Sequence, residues 1–157
     1  MEKSLRTFLE GQKVLTLATT DENNDPWVAN VYYSLTKTNQ LFFASSPDTN
    51  HSKHVFAKGT VAFSVSWFNP DNIGDRVAVQ GKGICEKLTD PITAIKFLKT
   101  HYSFFPTWGE VLTNKQIREQ ILNARFYVIT PTYIKFWNDT LFTGEKPPVR
   151  EFFFGEV

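Results

Sequence analysis

Residues 76–88 form a long β-forming run that contains Gly81 and Gly83. Glycine inside a strand marks a sharp bend or a bulge, and a small sheet needs such bends to close on itself as a barrel. A phosphate-loop reading of Gly81-Lys82-Gly83 fails, because the further glycine and the Lys-Ser/Thr pair of that motif are missing. The two glycines are therefore read as structural, and the rest of the chain is read for the strands that this one closes against.

Residues 14–20 are rich in β-formers and residues 21–26 in turn formers, which predicts a hairpin into a second strand starting at Trp27. On that strand Trp27, Ala29, Val31, Tyr33 and Leu35 share one face, and Val28, Asn30, Tyr32 and Ser34 share a mixed, hydrogen-bonding face. Residues 36–40 turn into the third strand, Leu41-Phe42-Phe43. A fourth strand covers 60–68 and a turn covers 69–75. Residues 124–130 return to strand, Pro131 interrupts it, 133–137 resume it, and a tail with Gly and Pro follows.

Helices fill the gaps. Leu5, Phe8 and Leu9 recur at helical spacing before Gly11, which predicts a short helix covering one barrel end. A second helix runs from about Thr49 to Lys58 with Gly59 as its stop. Thr89-Asp90-Pro91 caps a third, with Ile92, Ile95, Leu98 and Tyr102 on its apolar side, and another is expected around 115–123. No linker, repeat or low-complexity stretch divides the 157 residues, so 1–157 reads as a single domain. The fold class is mainly β, a Greek-key or split β-barrel with peripheral helices.

The stretch that carries chemistry is 41–54, where an apolar strand breaks into small polar residues and then a helix start. Free N–H groups and the positive dipole end of that helix, ringed by Ser45, Ser46, Thr49, Asn50, His51 and Lys53, suit a phosphate. The same residue types are also ordinary helix caps. Lys plus Arg number 17 against 16 Asp plus Glu, so no charge excess argues for nucleic acid or an anionic membrane. No apolar run is long enough to span a bilayer, the start lacks a secretory signal, and the single cysteine, Cys85, fits a reducing compartment, so the expectation is a cytoplasmic protein. His51 and His54 lack a third ligand, so no metal site is expected. No nucleophile elbow or Cys/His pairing supports a hydrolase, and no catalytic residue is assigned. Aromatics make up 15% of the chain, including 15 Phe, which implies an aromatic core or aromatic surface that a partner or ligand covers; Tyr32, Trp67 and Trp108 are candidates to flank a ring.

These residues, in this order, resemble the FMN-binding split-barrel proteins related to pyridoxamine 5′-phosphate oxidase. The resemblance rests on the Leu-Ala-Thr strand, Pro26-Trp27-Val28-Ala29-Asn30-Val31-Tyr32-Tyr33, Leu41 to Ser46, Val61-Ala62-Phe63 and Val79 to Cys85. Beyond Leu88 the chain looks most like a functionally uncharacterised bacterial branch of that superfamily, through Trp27-x-Ala29-Asn30 and Ile134-Lys135-Phe136-x-x-x-Thr140-Leu141. The resemblance implies FMN at a homodimer interface, with the phosphate on Ser45, Ser46, Thr49, Asn50, His51 and Lys53 and the ring on Ala29, Asn30, Val31 and Tyr32. It implies a small FMN-dependent oxidoreductase; the alternative is a non-catalytic binding module for flavin, haem or a deazaflavin in the same pocket. Family members that bind FMN well often carry Ser-Arg-Lys where this chain has Thr49-Asn50-His51, so two fixed cations are replaced by an amide and an imidazole. Oxidation of pyridoxamine 5′-phosphate itself is not expected, because the C-terminal basic motif of that enzyme is not recognisable in 150–154.

Overall fold

The computed structural model describes residues 1–90, 92–94, 96, 97, 99 and 125–155. Its elements are α1 (Lys3–Gly11), β1 (Val14–Thr20), β2 (Pro26–Leu35), β3 (Leu41–Ser45), α2 (Asn50–Lys58), β4 (Thr60–Asn69), β5 (Asn72–Lys87), β6 (Arg125–Asn138) and β7 (Val149–Phe153). The strands are ordered β3-β2-β1-β4-β5-β6-β7 and β3 also pairs with β6, so six of them close into an antiparallel barrel. This is a split β-barrel with peripheral helices. The helix expected at 115–123, Trp108, and Ile95, Leu98 and Tyr102 of the third helix lie outside the described residues, whereas 92–94, 96, 97 and 99 are helical.

Alternation builds the interior. Leu15, Leu17, Val31, Tyr33, Phe63, Val65, Val79, Ile134 and Phe136 all point inward and are almost fully buried. Phe43 stacks on Tyr127 at 5.1 Å, and Phe136 meets Phe142 edge-on at 5.7 Å, so part of the aromatic excess goes into the core, while Trp27, Tyr32, Phe56, Trp67, Phe68 and Phe153 stay exposed. α1 buries Leu5 and Leu9 against this core. Its placement is fixed by the Tyr33 hydroxyl donating to the Leu9 carbonyl at 2.6 Å and by Arg6 reaching Asn39 at 2.7 Å.

The glycine reading holds, and the geometry says why. A Cβ on Gly81 would stand 2.3 Å from the Phe63 ring, so the absent side chain makes room for a core phenylalanine. Gly83 faces Pro131 where the β5–β6 register shifts, and a Cβ there would stand 2.3 Å from the Thr130 carbonyl oxygen. Pro131 therefore does not interrupt β6, as expected from sequence; it sits at the bulge, where a ladder donor is dispensable.

Two other boundaries differ. The turn expected over 69–75 shrinks to Pro70 and Asp71, because Asn69 already pairs with Asn72 and the β4–β5 hairpin projects with Phe68 and Ile73 exposed. The aromatic tail is a strand, β7, paired with the second half of β6. One edge of β6 thus serves β3 through Ile129 and β7 from Tyr133, while its other edge runs along β5. A second cluster of Phe42, Ala94, Phe126 and Val128, with Phe97 against it, covers the outside of β3 and β6. It also explains Ser34: opposite Phe42 in the ladder, it is buried rather than part of an open face.

Candidate functional site

At the end of β3 the chain enters α2 through a cluster of hydroxyls around one imidazole. Ser45 Oγ lies 2.7 Å from His51 Nε2 and 3.2 Å from Thr49 Oγ1. Thr49 Oγ1 lies 3.2 Å from the same nitrogen, 2.8 Å from Ser52 Oγ and 2.9 Å from the Ser46 carbonyl, to which it donates. Thr49 occupies the N-cap position with extended backbone, yet its side chain makes no capping bond, so the first-turn N–H groups are left to other acceptors. Ser46 Oγ accepts from the Asp48 N–H at 3.3 Å, and Asn50 and Lys53 are exposed.

His51 is only 8% exposed and packs against Phe43. Burial, and secondarily His54, push its pKa below the usual imidazole value. His51 therefore acts as a neutral hydrogen-bonding group, and the fixed positive charge at this end comes from Lys53 alone among Ser45, Ser46, Thr49, Asn50, His51 and Lys53. His54 faces the barrel end, with Nδ1 3.1 Å from the buried Thr19 hydroxyl.

The four β2 residues divide by parity. Asn30 and Tyr32 stand on the outer face, Tyr32 with 51% of its surface exposed, and the Thr16 hydroxyl donates to Asn30 Oδ1 at 2.9 Å. Val31 is buried in the core and Ala29 is half-buried on the inward side, so these two can present only backbone to an outer ligand. Asn30 also belongs to a larger pattern. Asn30, Thr16, Ser64, Gln80, Lys135 and Glu151 lie opposite one another in successive ladders, a polar row across six strands. Beside it runs a row of Val28, Ala18, Ala62, Lys82, Tyr133 and Phe153, apolar or aromatic except at Lys82.

One part of this face was missed by the sequence reading. Arg76, Ala78, Gln80, Lys135 and Trp137 line a hollow of about 260 Å³. Asp139 organises it: one carboxylate oxygen takes the Arg76 Nε at 3.0 Å, the other takes the Trp137 indole N–H, and the guanidinium lies 4.9 Å over the indole. That pairing holds the Asp139 carboxyl below its usual pKa, Arg76 first among the causes. The only sequence signal was alternation on two strands more than fifty residues apart, which no local motif reveals. Among the described residues no group of three or more His, Cys, Asp or Glu could hold a metal ion, and no helix is long and apolar enough to cross a membrane.

The family model described as pyridoxamine 5′-phosphate oxidase matches residues 1–138. No curated protein matches the sequence significantly. Among solved structures, a haem-binding protein from Mycobacterium smegmatis is 15% identical with a TM-score of 0.70, over 94% of this chain and 55% of that one. HutZ, the haem storage protein from Vibrio cholerae, is 14% identical with a TM-score of 0.59, over 83% and 89% of the two chains. An FAD-binding protein from Mesorhizobium loti is 18% identical with a TM-score of 0.64, over 85% and 92%. This chain spans about half the length of the mycobacterial protein. At such identities the likeness is one of fold. It is the family match over most of the sequence, joined to a barrel closed as that family's resemblance implied, that decides the assignment: the chain belongs to the pyridoxamine 5′-phosphate oxidase family.

Proposed function

We propose that residues 1–157 form one FMN-binding domain that takes the flavin non-covalently at the interface of a homodimer and works as a small flavin-dependent oxidoreductase. The observation that carries this reading is the open outer face of β1 and β2, with Val14, Val28 and Tyr32 between 46% and 61% exposed, beside the hydroxyl cluster and the uncapped start of α2. Such a face is too apolar to stay bare, and a twofold-related copy laid on it would enclose two equivalent sites. Ser45, Ser46, Thr49, Asn50 and the first-turn N–H groups would hold the phosphate, with Lys53 as the cation. The Asn30 and Tyr32 side chains and the backbone of Ala29 and Val31 would hold the ring. A bound flavin supplies hydride or electron transfer, and the chain's part is to orient it and exclude water. Turnover of pyridoxamine 5′-phosphate is not part of the proposal: Arg150, the one cation of the aromatic tail, is paired with Glu145 at 3.0 Å and stacked on Phe142 at 4.7 Å.

Haem is the second reading, favoured by one observation: with His51 neutral, the α2 start offers a phosphate dianion little fixed charge. The visible spectrum of the freshly purified protein separates the two, a flavin band supporting the first and a Soret band the second. The placement is tested by the double variant Thr49→Ala with Lys53→Ala. FMN affinity should fall by about 10-fold or more while riboflavin affinity stays unchanged, since hydrogen bonds to charged groups contribute about 1.5–3 kcal/mol. Equal losses for the two ligands would rule the placement out.

A further inference from the structure

Trp67, one of the aromatic side chains that could flank a ring, has no part in the flavin reading. It is 42% exposed and lies directly opposite Val77 in the β4–β5 ladder, so the two share one face of that hairpin. On this face Asp75 and Val77 of β5, Glu2, Thr7 and Phe8 of α1 and Leu141 after β6 line an open groove of about 810 Å³. Phe8 and Val77 pack onto the core and Leu141 is 50% exposed, which makes an apolar floor that Trp67 extends. We propose that the groove binds an arylalkylammonium ion, a cationic amine carried on a one-ring body. Its volume falls within the roughly 300–1,000 Å³ usual for small-molecule sites.

Charge selects the head group. Glu2 and Asp75 reach the groove from different elements. The Ser4 hydroxyl donates to Glu2 Oε1 at 2.6 Å, and Thr140 Oγ1 and Asn69 Nδ2 donate to the two Asp75 oxygens at 3.1 and 3.3 Å. These donors are neutral, so they position the carboxylates without cancelling their charge. Arg76, next to Asp75 in the chain, stands on the opposite face of β5, where Asp139 holds it. Lys3 at the rim returns one positive charge, which leaves the groove a surplus of one negative charge. An ammonium group answers that surplus while its ring covers Phe8, Val77 and Leu141, and the Trp67 indole adds a face that attracts cations. A neutral head group leaves the carboxylates without an ionic partner, and an anion is repelled by them.

The groove contains none of the residues that the flavin reading uses, so it is tested on the full-length protein without added cofactor. Phenethylamine is titrated while the Trp67 indole and Val77 amide resonances are followed by NMR. Among the controls, phenylethanol lacks the charge, phenylpropionate reverses it and methylamine lacks the body. Phenethylamine should shift both resonances with a dissociation constant of about 1 mM, and each control should bind at least about 10-fold more weakly. Asp75→Asn, which keeps an acceptor for Thr140, should weaken phenethylamine about 5-fold, as should Glu2→Gln. Thr7→Trp, which fills the groove from an exposed position on α1, should abolish the shifts in a protein that still unfolds cooperatively. Absence of any shift with phenethylamine, equal binding of any control, or unchanged binding in the Asp75→Asn or Thr7→Trp variant would overturn the proposal. Failure of FMN to bind would leave it standing and overturn the flavin reading instead.

Discussion

Lowering the pH should destabilise the ligand-free protein through His51. The imidazole is 8% exposed, its Nε2 is engaged by the Ser45 and Thr49 hydroxyls, and burial, then His54, hold its pKa below 6.5. A group whose folded pKa is depressed binds fewer protons in the native state than in the unfolded one, between the two values. Stability therefore falls as pH drops through that window. The His51 contribution is fully present above about pH 7 and is lost as pH falls from the unfolded value toward the depressed folded one; each unit of depression amounts to about 1.4 kcal/mol. Asp21, which interacts electrostatically with His54, is held below the usual carboxylate range, first by the Asp25 N–H, and so titrates outside the window. His51→Gln keeps a donor and an acceptor near the Nε2 position and removes the titration. Urea unfolding of both proteins at pH 7.5 and 5.0 gives the measurement, with background titrations cancelling in the difference. Wild type should lose more stability than the variant over this range. Parallel losses, or a larger loss in the variant, would refute a neutral, buried His51.

Two further outcomes follow from the barrel. Gly81→Ala would drive a Cβ into the Phe63 ring and should cost about 1–3 kcal/mol in urea, as overpacking does; an unchanged midpoint would mean that Phe63 moves aside freely. Tyr32→Asp places a charge on the open face of β2 and should abolish dimerisation and FMN binding together, because a ligand bound only by the dimer is linked to it by mass action; sedimentation that finds a monomer with unchanged FMN affinity would show that the site belongs to one chain.

The strands were legible in sequence wherever one face of a run is buried and the other is not. β1, the middle of β2 from Ala29 to Tyr33 and β4 as far as Ser66 alternate in just that way, and Gly59 marked the end of α2 by adopting a left-handed conformation. β7 was not legible, since Val149 to Phe153 follows two prolines and packs by pairing to β6, a contact that tertiary structure alone creates. Pro131 misled for the related reason that a bulge, set by Gly83 on another strand, removes the need for its N–H. At the candidate site the residue types around α2 could be read locally, whereas the neutrality of His51 depends on burial by the whole barrel. The hollow over Ala78 required the β5–β6 register, which is fixed by pairings across the chain and not by any stretch of it.

The division of β6 between two partners has a consequence for synthesis. β3 is made early but finds its second neighbour only in β6, where Leu41 meets Ile129, so the ring cannot close until that late strand has left the ribosome. Until then β3 and β5 each present a bare edge, the kind of edge on which neighbouring nascent chains pair. Closure by β6 removes both edges in one event, and β7 then lies along the half of β6 that β3 leaves open. Chains terminated ahead of Arg125 should accordingly accumulate as aggregates, while chains that reach Asn138 carry every strand the ring needs.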